Sequence, residues 1–575
     1  MEKEGKKGLK INKIKFVRNI IISLIALRIV AVIFVVAPNY TMEEDDGKTH
    51  LIINNNNLTS SDRLSNDVLI ENGVIYLSEQ DISRFFDNYL YYESKYNQYI
   101  TTSNTKVATI EVGSNKMEVN GISTTISGTI IEREGPDGNK VVYLPFSEMK
   151  DIYNVEIQNI EETNIILIDS LDREQITAEA TKDFSVKLKT KFFSRTIDKV
   201  KKGEQVIVIS KTDNGWAKIR TANGKIGYVK ADKLQNEQKV RDNMEQEKQI
   251  ENEKISMVFD YYSESRVAPN RNGTEIAGVN VVSPSFFVLK ELGKGEIIDK
   301  VGENGKKYIE WAKENDYKVW AMFANDSKIE TTSEILNDYK IRKQTIESIV
   351  DLAVQYGIDG INLDFENIYK EDKDVFTRFV IELYPRLKDL GMSLTVDVTA
   401  PDGGENWSLC YDRDALADNC DYLVYMGYDQ NNASSTKAGP VAGYNWVRTN
   451  VNKFLGQEDV DSSKLILAIP FYTRVWTEDE TGKLIKSSIV NMKDVDTLIN
   501  GKAEKQWDEV TRQNYVEYKQ GQNTCKIWIE DLDSIREKLL LANEKELAGV
   551  AFWEKDRESE EVWDLINEVI FNNNK

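Results

Sequence analysis

The chain has 575 residues, with 74 basic against 95 acidic side chains and a formal net charge of −21. That balance excludes a partner dominated by phosphate, such as DNA or RNA. Three cysteines and one histidine leave no parts for a disulfide framework, a zinc site or a Ser-His-Asp triad, so any catalysis runs mainly on carboxylates, with no metal or cofactor.

Residues 1–18 form a basic tail, with seven Lys and Arg against Glu2 and Glu4. An apolar run follows at 19–37 (NIIISLIALRIVAVIFVVA), long enough for one transmembrane helix. The basic flank places the N-terminus in the cytoplasm and the remainder outside, as a single-pass membrane protein. The alternative is secretion after signal cleavage, with Val35 and Ala37 as a weak cleavage site and Pro38 behind it. Arg28, in the middle of the run, is expensive in hydrocarbon. The anchor and tail together carry +6, which leaves −27 over 38–575. Residues 38–65 are acidic and Asn/Ser-rich and are expected to be a flexible linker.

Residues 66–170 alternate short Ile/Val/Tyr runs with turn signals such as Glu71-Asn72-Gly73 and Asn120-Gly121, interrupted by a helical pattern from about Ser78 to Tyr89. Together with YLPFSEMKDIY at 143–153 this resembles the small α+β module named after the N-terminal domain of copper amine oxidases. The segment has no His or Cys for copper, so a scaffold is expected. In 171–235 the run Gly215-Trp216-Ala217-Lys218-Ile219, then Gly224 and Gly227-Tyr228-Val229, resembles a bacterial SH3-like β-barrel. That resemblance implies either binding to the cell wall or a spacer. Residues 236–255 are almost wholly charged or amide and are expected to be a solvated helical linker.

From 256 to 571 apolar strands alternate with helical patterns, the signature of an α/β fold, here a (β/α)8 TIM barrel. Eight strands are counted, at 278–287, 318–323, 360–366, 392–401, 421–429, 464–472, 525–531 and 549–554. A small insertion is expected from about Trp476 to Trp507, walling the cleft. The third strand counted carries chemistry. Side chains alternate across a strand, so Asn362, Asp364 and Glu366 share one face while Ile361, Leu363 and Phe365 share the other. A lone acid on a buried strand is more often structural. Three polar groups in line at the C-terminal end of a barrel strand, where these folds build active sites, reverse that reading. Asp359 has the other parity and is expected to orient or cap.

The run Asp359-Gly360-Ile361-Asn362-Leu363-Asp364-Phe365-Glu366 resembles the D-G-x-D-x-D-x-E signature of glycoside hydrolase family 18. Asn280 to Pro284 resembles a first-strand motif of its spore-cortex-lytic branch, Met426-Gly427-Tyr428-Asp429 its M-x-Y-D, Pro470 to Arg474 a sixth-strand motif, and Gly549 to Trp553 its eighth-strand ending. The resemblance implies substrate-assisted catalysis, in which the sugar supplies the nucleophile. Glu366 would be the acid and then the base, with a pKa raised towards roughly 6. Asp364 would hold the acetamido N–H, and Tyr428 would donate to the acetamido carbonyl with Asp429 beside it. Trp553 would floor the sugar, and Tyr472 and Arg474 would contact its hydroxyls.

Two positions depart from the pattern. Asn362 stands where a second Asp is usual, able to hydrogen-bond Asp364 but not to share a proton with it. Phe286 stands where this branch often has Trp, keeping a stacking face. The implied substrate is a β-linked N-acetylglucosamine glycan, peptidoglycan ahead of chitin oligomers. The competing reading is a non-catalytic, lectin-like wall-binding protein.

Overall fold

The computed structural model describes residues 21–28, 47–59, 61, 63–135, 138–191, 194–241, 254–261 and 275–572. Of the expected anchor only 21–28 falls among these, as helix, and the rest lies outside the described residues. Among the described residues no helix is long and apolar enough to cross a membrane.

The chain forms two compact units. The first comprises residues up to Asn88, 112–115 and 125–249. Its first strand, His50–Ile53, pairs in parallel with Ile165–Ser170, so the sheet starts inside the stretch expected to be linker. Leu51 and Ile52 are fully buried there, an apolar pair that the Asn-rich surroundings disguise. A helix of this unit, Glu79–Phe85, is capped by the Ser78 hydroxyl, which accepts from the Asp81 N–H.

The SH3-like part is a seven-stranded antiparallel sheet around Ala178, Val186, Ile219 and Val229. Its last strand, Leu234–Arg241, pairs with Gln175–Ala180 and takes the start of the expected helical linker into the sheet. Residues 242–253 of that linker lie outside the described residues.

The second unit holds 89–111, 116–124 and 250–575. Its barrel strands are β1 (Ile255–Asp260), β2 (Val281–Pro284), β3 (Lys318–Ala324), β4 (Gly360–Asp364), β5 (Ser393–Val398), β6 (Tyr422–Met426), β7 (Leu465–Pro470) and β8 (Gly549–Trp553). All are parallel, and the ring closes through β2–β3 and β8–β1. At the β8–β1 contact a Cβ on Gly549 would lie 2.0 Å from the Ile255 carbonyl oxygen, so only glycine fits the closure. The surrounding helices are α1 (Gly302–Glu314), α2 (Ile329–Asn337), α3 (Tyr339–Tyr356), α4 (Lys373–Lys388), α5 (Arg413–Asp418), α6 (Tyr444–Gly456), α7 (Leu532–Glu544) and α8 (Val562–Ile566).

Two expected strand assignments change. β1 was not among the eight counted, and residues 525–531 contribute no barrel strand. Instead, Asn523–Ile529 joins an antiparallel five-stranded sheet that spans Tyr472 to Ile529, between β7 and α7. The expected insertion is therefore larger than 476–507, and the catalytic-looking strand is the fourth of the barrel. Cys525, Ile527 and Ile529 are buried while Lys526 and Trp528 are not. Such alternation marks a strand with one solvated face rather than a barrel stave.

Strand parity then builds two cores. Ile255, Met257, Trp320, Met322, Val424 and Ala468 fill the barrel lumen, whereas Ile361, Leu363, Phe365 and their counterparts face the helices. Residues 89–111 and 116–124 belong to this unit as an antiparallel meander against α3 and α4. Arg378 donates to the Tyr89 carbonyl (2.7 Å), and Lys95 and Tyr96 both reach the Asp338 carboxylate (2.6 and 3.0 Å). Asp338 also caps α3 through the Lys340 and Ile341 N–H groups. The three cysteines are buried and unbridged.

Candidate active site

β4 ends at Asp364, and its polar face points into the lumen at the C-terminal mouth, as the parity requires. Asn362 is fully buried beneath the pair. Its amide is spent on β5 rather than on Asp364, as the sequence suggested: Nδ2 donates to Asp397 Oδ1 (2.7 Å) and Thr395 Oγ1 (2.9 Å). The register Asn362↔Thr395 explains this, because one pleat further along Asp397 stands beside Asp364.

Glu366 and Asp364 each keep a partly exposed edge while protein encloses most of the carboxyl group, and the two are hydrogen-bonded to each other. Burial, then the charges of Asp364 and Asp429, push the Glu366 pKa up to about 8. Burial, then Asp397, pushes Asp364 up to about 8 as well. Asp397 is raised well above the carboxylate range by burial. The shift at Glu366 has the expected direction and is larger: burial is its main cause, and Asp429 at the β6 end adds a charge that no spacing within the motif reveals. Asp364 Oδ1 is buried and has no hydrogen-bond partner.

Aromatic rings stand around this pair. Trp553, at the end of β8, packs against Phe259 (5.3 Å between centroids) and Tyr428 (6.5 Å, interplanar 31°). The Tyr428 pKa is raised well above 10 by burial first and then by Asp397, so its hydroxyl is a donor throughout the physiological range. Asp429 follows in the left-handed region (φ 58°) and accepts from the Tyr472 hydroxyl at 2.6 Å. Tyr472 is thus spent on Asp429. Arg474 is buried in the insertion sheet, where it donates to Ser487 Oγ (2.7 Å) beside the Trp476 ring, in place of the expected sugar contact.

Two expected contributors lie elsewhere. Asp359 precedes β4 at the opposite end of the strand, about 16 Å from Asp364 at the usual rise. It accepts from the Val319 N–H (3.0 Å) and the Lys318 ammonium (3.5 Å), and so holds β3 to β4. Phe286 is fully buried against Tyr308 of α1 (5.9 Å) in the outer core, with no face open to a sugar.

Three residues that the sequence did not single out complete the site: Asn325, Asp397 and Tyr411. Asn325 bonds both backbone groups of Glu366 (3.0 and 2.8 Å), and Tyr411 donates to the Phe365 carbonyl (2.8 Å). Each comes from another strand or loop and lies tens of residues from the motif.

The family model described as glycosyl hydrolases family 18 matches residues 257–558, and the model described as bacterial SH3 domain matches 191–235. The chain belongs to glycosyl hydrolases family 18. It is 28% identical over 227 residues to "Putative sporulation-specific glycosylase YdhD" of Bacillus subtilis (strain 168), covering 39% of this chain and 53% of that protein. It is 22% identical over 239 residues to the cortical fragment-lytic enzyme of the same organism, covering 41% and 55%. The matches span about half the length of these two relatives. Among solved structures, a chitinase from Chromobacterium violaceum ATCC 12472 superposes with a TM-score of 0.49 at 21% identity, over 55% of this chain and 99% of that one.

Proposed function

We propose that the protein is a retaining glycoside hydrolase that cleaves β-linked N-acetylglucosamine glycans by substrate-assisted catalysis. The observation that carries this is the buried, unpartnered Asp364 Oδ1 beside Glu366, whose pKa burial pushes up to about 8. A lone buried acceptor is costly until a ligand N–H satisfies it, and an acetamido group brings such a donor. Glu366 then protonates the departing glycosidic oxygen while the acetamido carbonyl, held by the Tyr428 hydroxyl, attacks the anomeric carbon to give an oxazolinium. Trp553 supports the apolar face of the ring. The Glu366 carboxylate next takes a proton from water, which opens the oxazolinium with net retention.

Peptidoglycan is the substrate we favour over chitin oligomers. The SH3 domain and the cortical fragment-lytic relative support it, as does an exterior barrel held by the expected anchor at 19–37. The module at 66–170 serves in this reading as scaffold. The decisive comparison is wild type against Glu366→Gln on purified peptidoglycan and on chitin oligomers, read as release of reducing ends. We expect a loss of at least about a thousandfold, at the upper part of the range for general acid catalysis. Release that survives the substitution would discard Glu366 as the acid. A wild type that binds glycan but cuts neither substrate would establish the lectin reading instead.

A further inference from the structure

The proposed acid stands where the barrel no longer supports it. The β3–β4 ladder ends at the pair Ala324↔Asp364 and the β4–β5 ladder at Leu363↔Val396. Glu366 is two residues beyond, on a connecting loop, the kind of segment that is normally mobile. Yet its backbone is fully bonded, by one side chain. Asn325 Oδ1 accepts from the Glu366 N–H (3.0 Å) and Asn325 Nδ2 donates to the Glu366 carbonyl (2.8 Å). The amide thus acts as one further rung of the ladder.

Asn325 is itself fully employed. Its Oδ1 also accepts from the Ser327 N–H (3.1 Å), and its second Nδ2 hydrogen goes to Thr332 Oγ1 (2.8 Å) on α2. Thr332 passes its own hydroxyl proton to the Lys328 carbonyl (2.9 Å). Two lone pairs and two donors are all that an Asn side chain possesses, and all four are used. Asn325 and Thr332 are almost completely buried, so water does not substitute for either. The arrangement is specific to an amide. An Asp at 325 would turn an acceptor towards both the Glu366 carbonyl and Thr332.

We infer that Asn325, braced by Thr332, is a positioning residue that fixes the Glu366 backbone so that its carboxyl group meets the glycosidic oxygen. This rests on the proposed acid role of Glu366. In the bond-breaking step a misplaced acid costs rate only where the leaving group needs a proton, and a displacement near 1 Å costs up to about a hundredfold.

The test uses the full chain with two substrates: the glycan, whose alkoxide leaving group needs protonation, and a 4-nitrophenyl chitooligoside, whose phenolate does not. For Asn325→Ala and Asn325→Asp we expect glycan kcat to fall about 10- to 100-fold with KM within about twofold, while kcat/KM for nitrophenol release, which reports only the steps up to bond cleavage, falls less than about threefold. Thr332→Val is expected to show the same imbalance more mildly, and Thr332→Ser to restore it. Should the Asn325 variants not fold, Thr332→Val carries the same ratio. Equal losses on both substrates, or no loss on either, would overturn the inference. A wild type inactive on both would instead sink the proposed function, and the clamp would fall with it.

Discussion

Asp364, Glu366, Asp397 and Asp429 crowd the mouth of one barrel, and their charges cannot all be borne together. The sign of the consequence follows from linkage. A carboxyl group whose pKa is about 4.3 in the unfolded chain and about 8 in the fold keeps its proton in the native state after the unfolded state has released it. Stability is therefore unaffected below pH 4 and falls as pH rises from about 4 to 8. Glu366→Gln removes that penalty. Its melting temperature should exceed wild type by about 3 °C at pH 8, and the gain should vanish near pH 4. Equal gains at both pH values would assign the effect to packing. Activity should also fall with rising pH, with glycan hydrolysis declining as pH passes about 8 and Glu366 loses the proton it donates. At this scale the sequence told which side chains share a face, because parity on a strand is local. It did not tell Asn325, Asp397 or Tyr411, whose roles depend on register between strands. Phe286 misled for the complementary reason: it lies beyond the end of β2, where parity no longer says which layer a ring enters.

At the scale of elements, the eightfold alternation was legible and two of its members were not. β1 is a six-residue strand with four apolar side chains directly behind a charged segment, and residues 525–531 imitate a barrel strand in composition while alternating in burial. A second hidden feature is the ion pair between α3 and α4. Arg342 grips Glu382 with two bonds (2.9 and 3.0 Å) and the Leu336 carbonyl with a third, all out of water. Glu93 of the meander lies 3.7 Å from the same guanidinium. Arg342→Ala should destabilise the barrel by about 3–5 kcal/mol in denaturant unfolding, because Glu382 is left buried and charged. The double replacement Arg342→Leu with Glu382→Leu should recover most of it. A single-variant loss below about 1 kcal/mol would show that the pair adds little.

At the scale of the molecule, composition separated a basic end, small β modules and a barrel, and the SH3 and family 18 regions matched. What composition could not separate is the allegiance of 89–111 and 116–124, which lie within the expected 66–170 module yet pack with the barrel. Its bond partners, Asp338, Arg342 and Arg378, look like ordinary surface charges of helices when read along the chain. A fragment beginning at residue 250 should therefore melt about 5 °C or more below the barrel transition of the full chain and bind an apolar-surface dye through the uncovered α3–α4 face. Equal melting and no dye binding would show that the meander only rests there.

The same meander sets an order on manufacture. Tyr89 is 289 positions ahead of Arg378, to which its carbonyl is bonded. At roughly 5–20 residues per second, the meander waits about 15–60 s after its own synthesis for the helices it covers. Until then its tyrosines and open strand edges are exposed to every neighbouring nascent chain. A piece made early is among the last that can be finished.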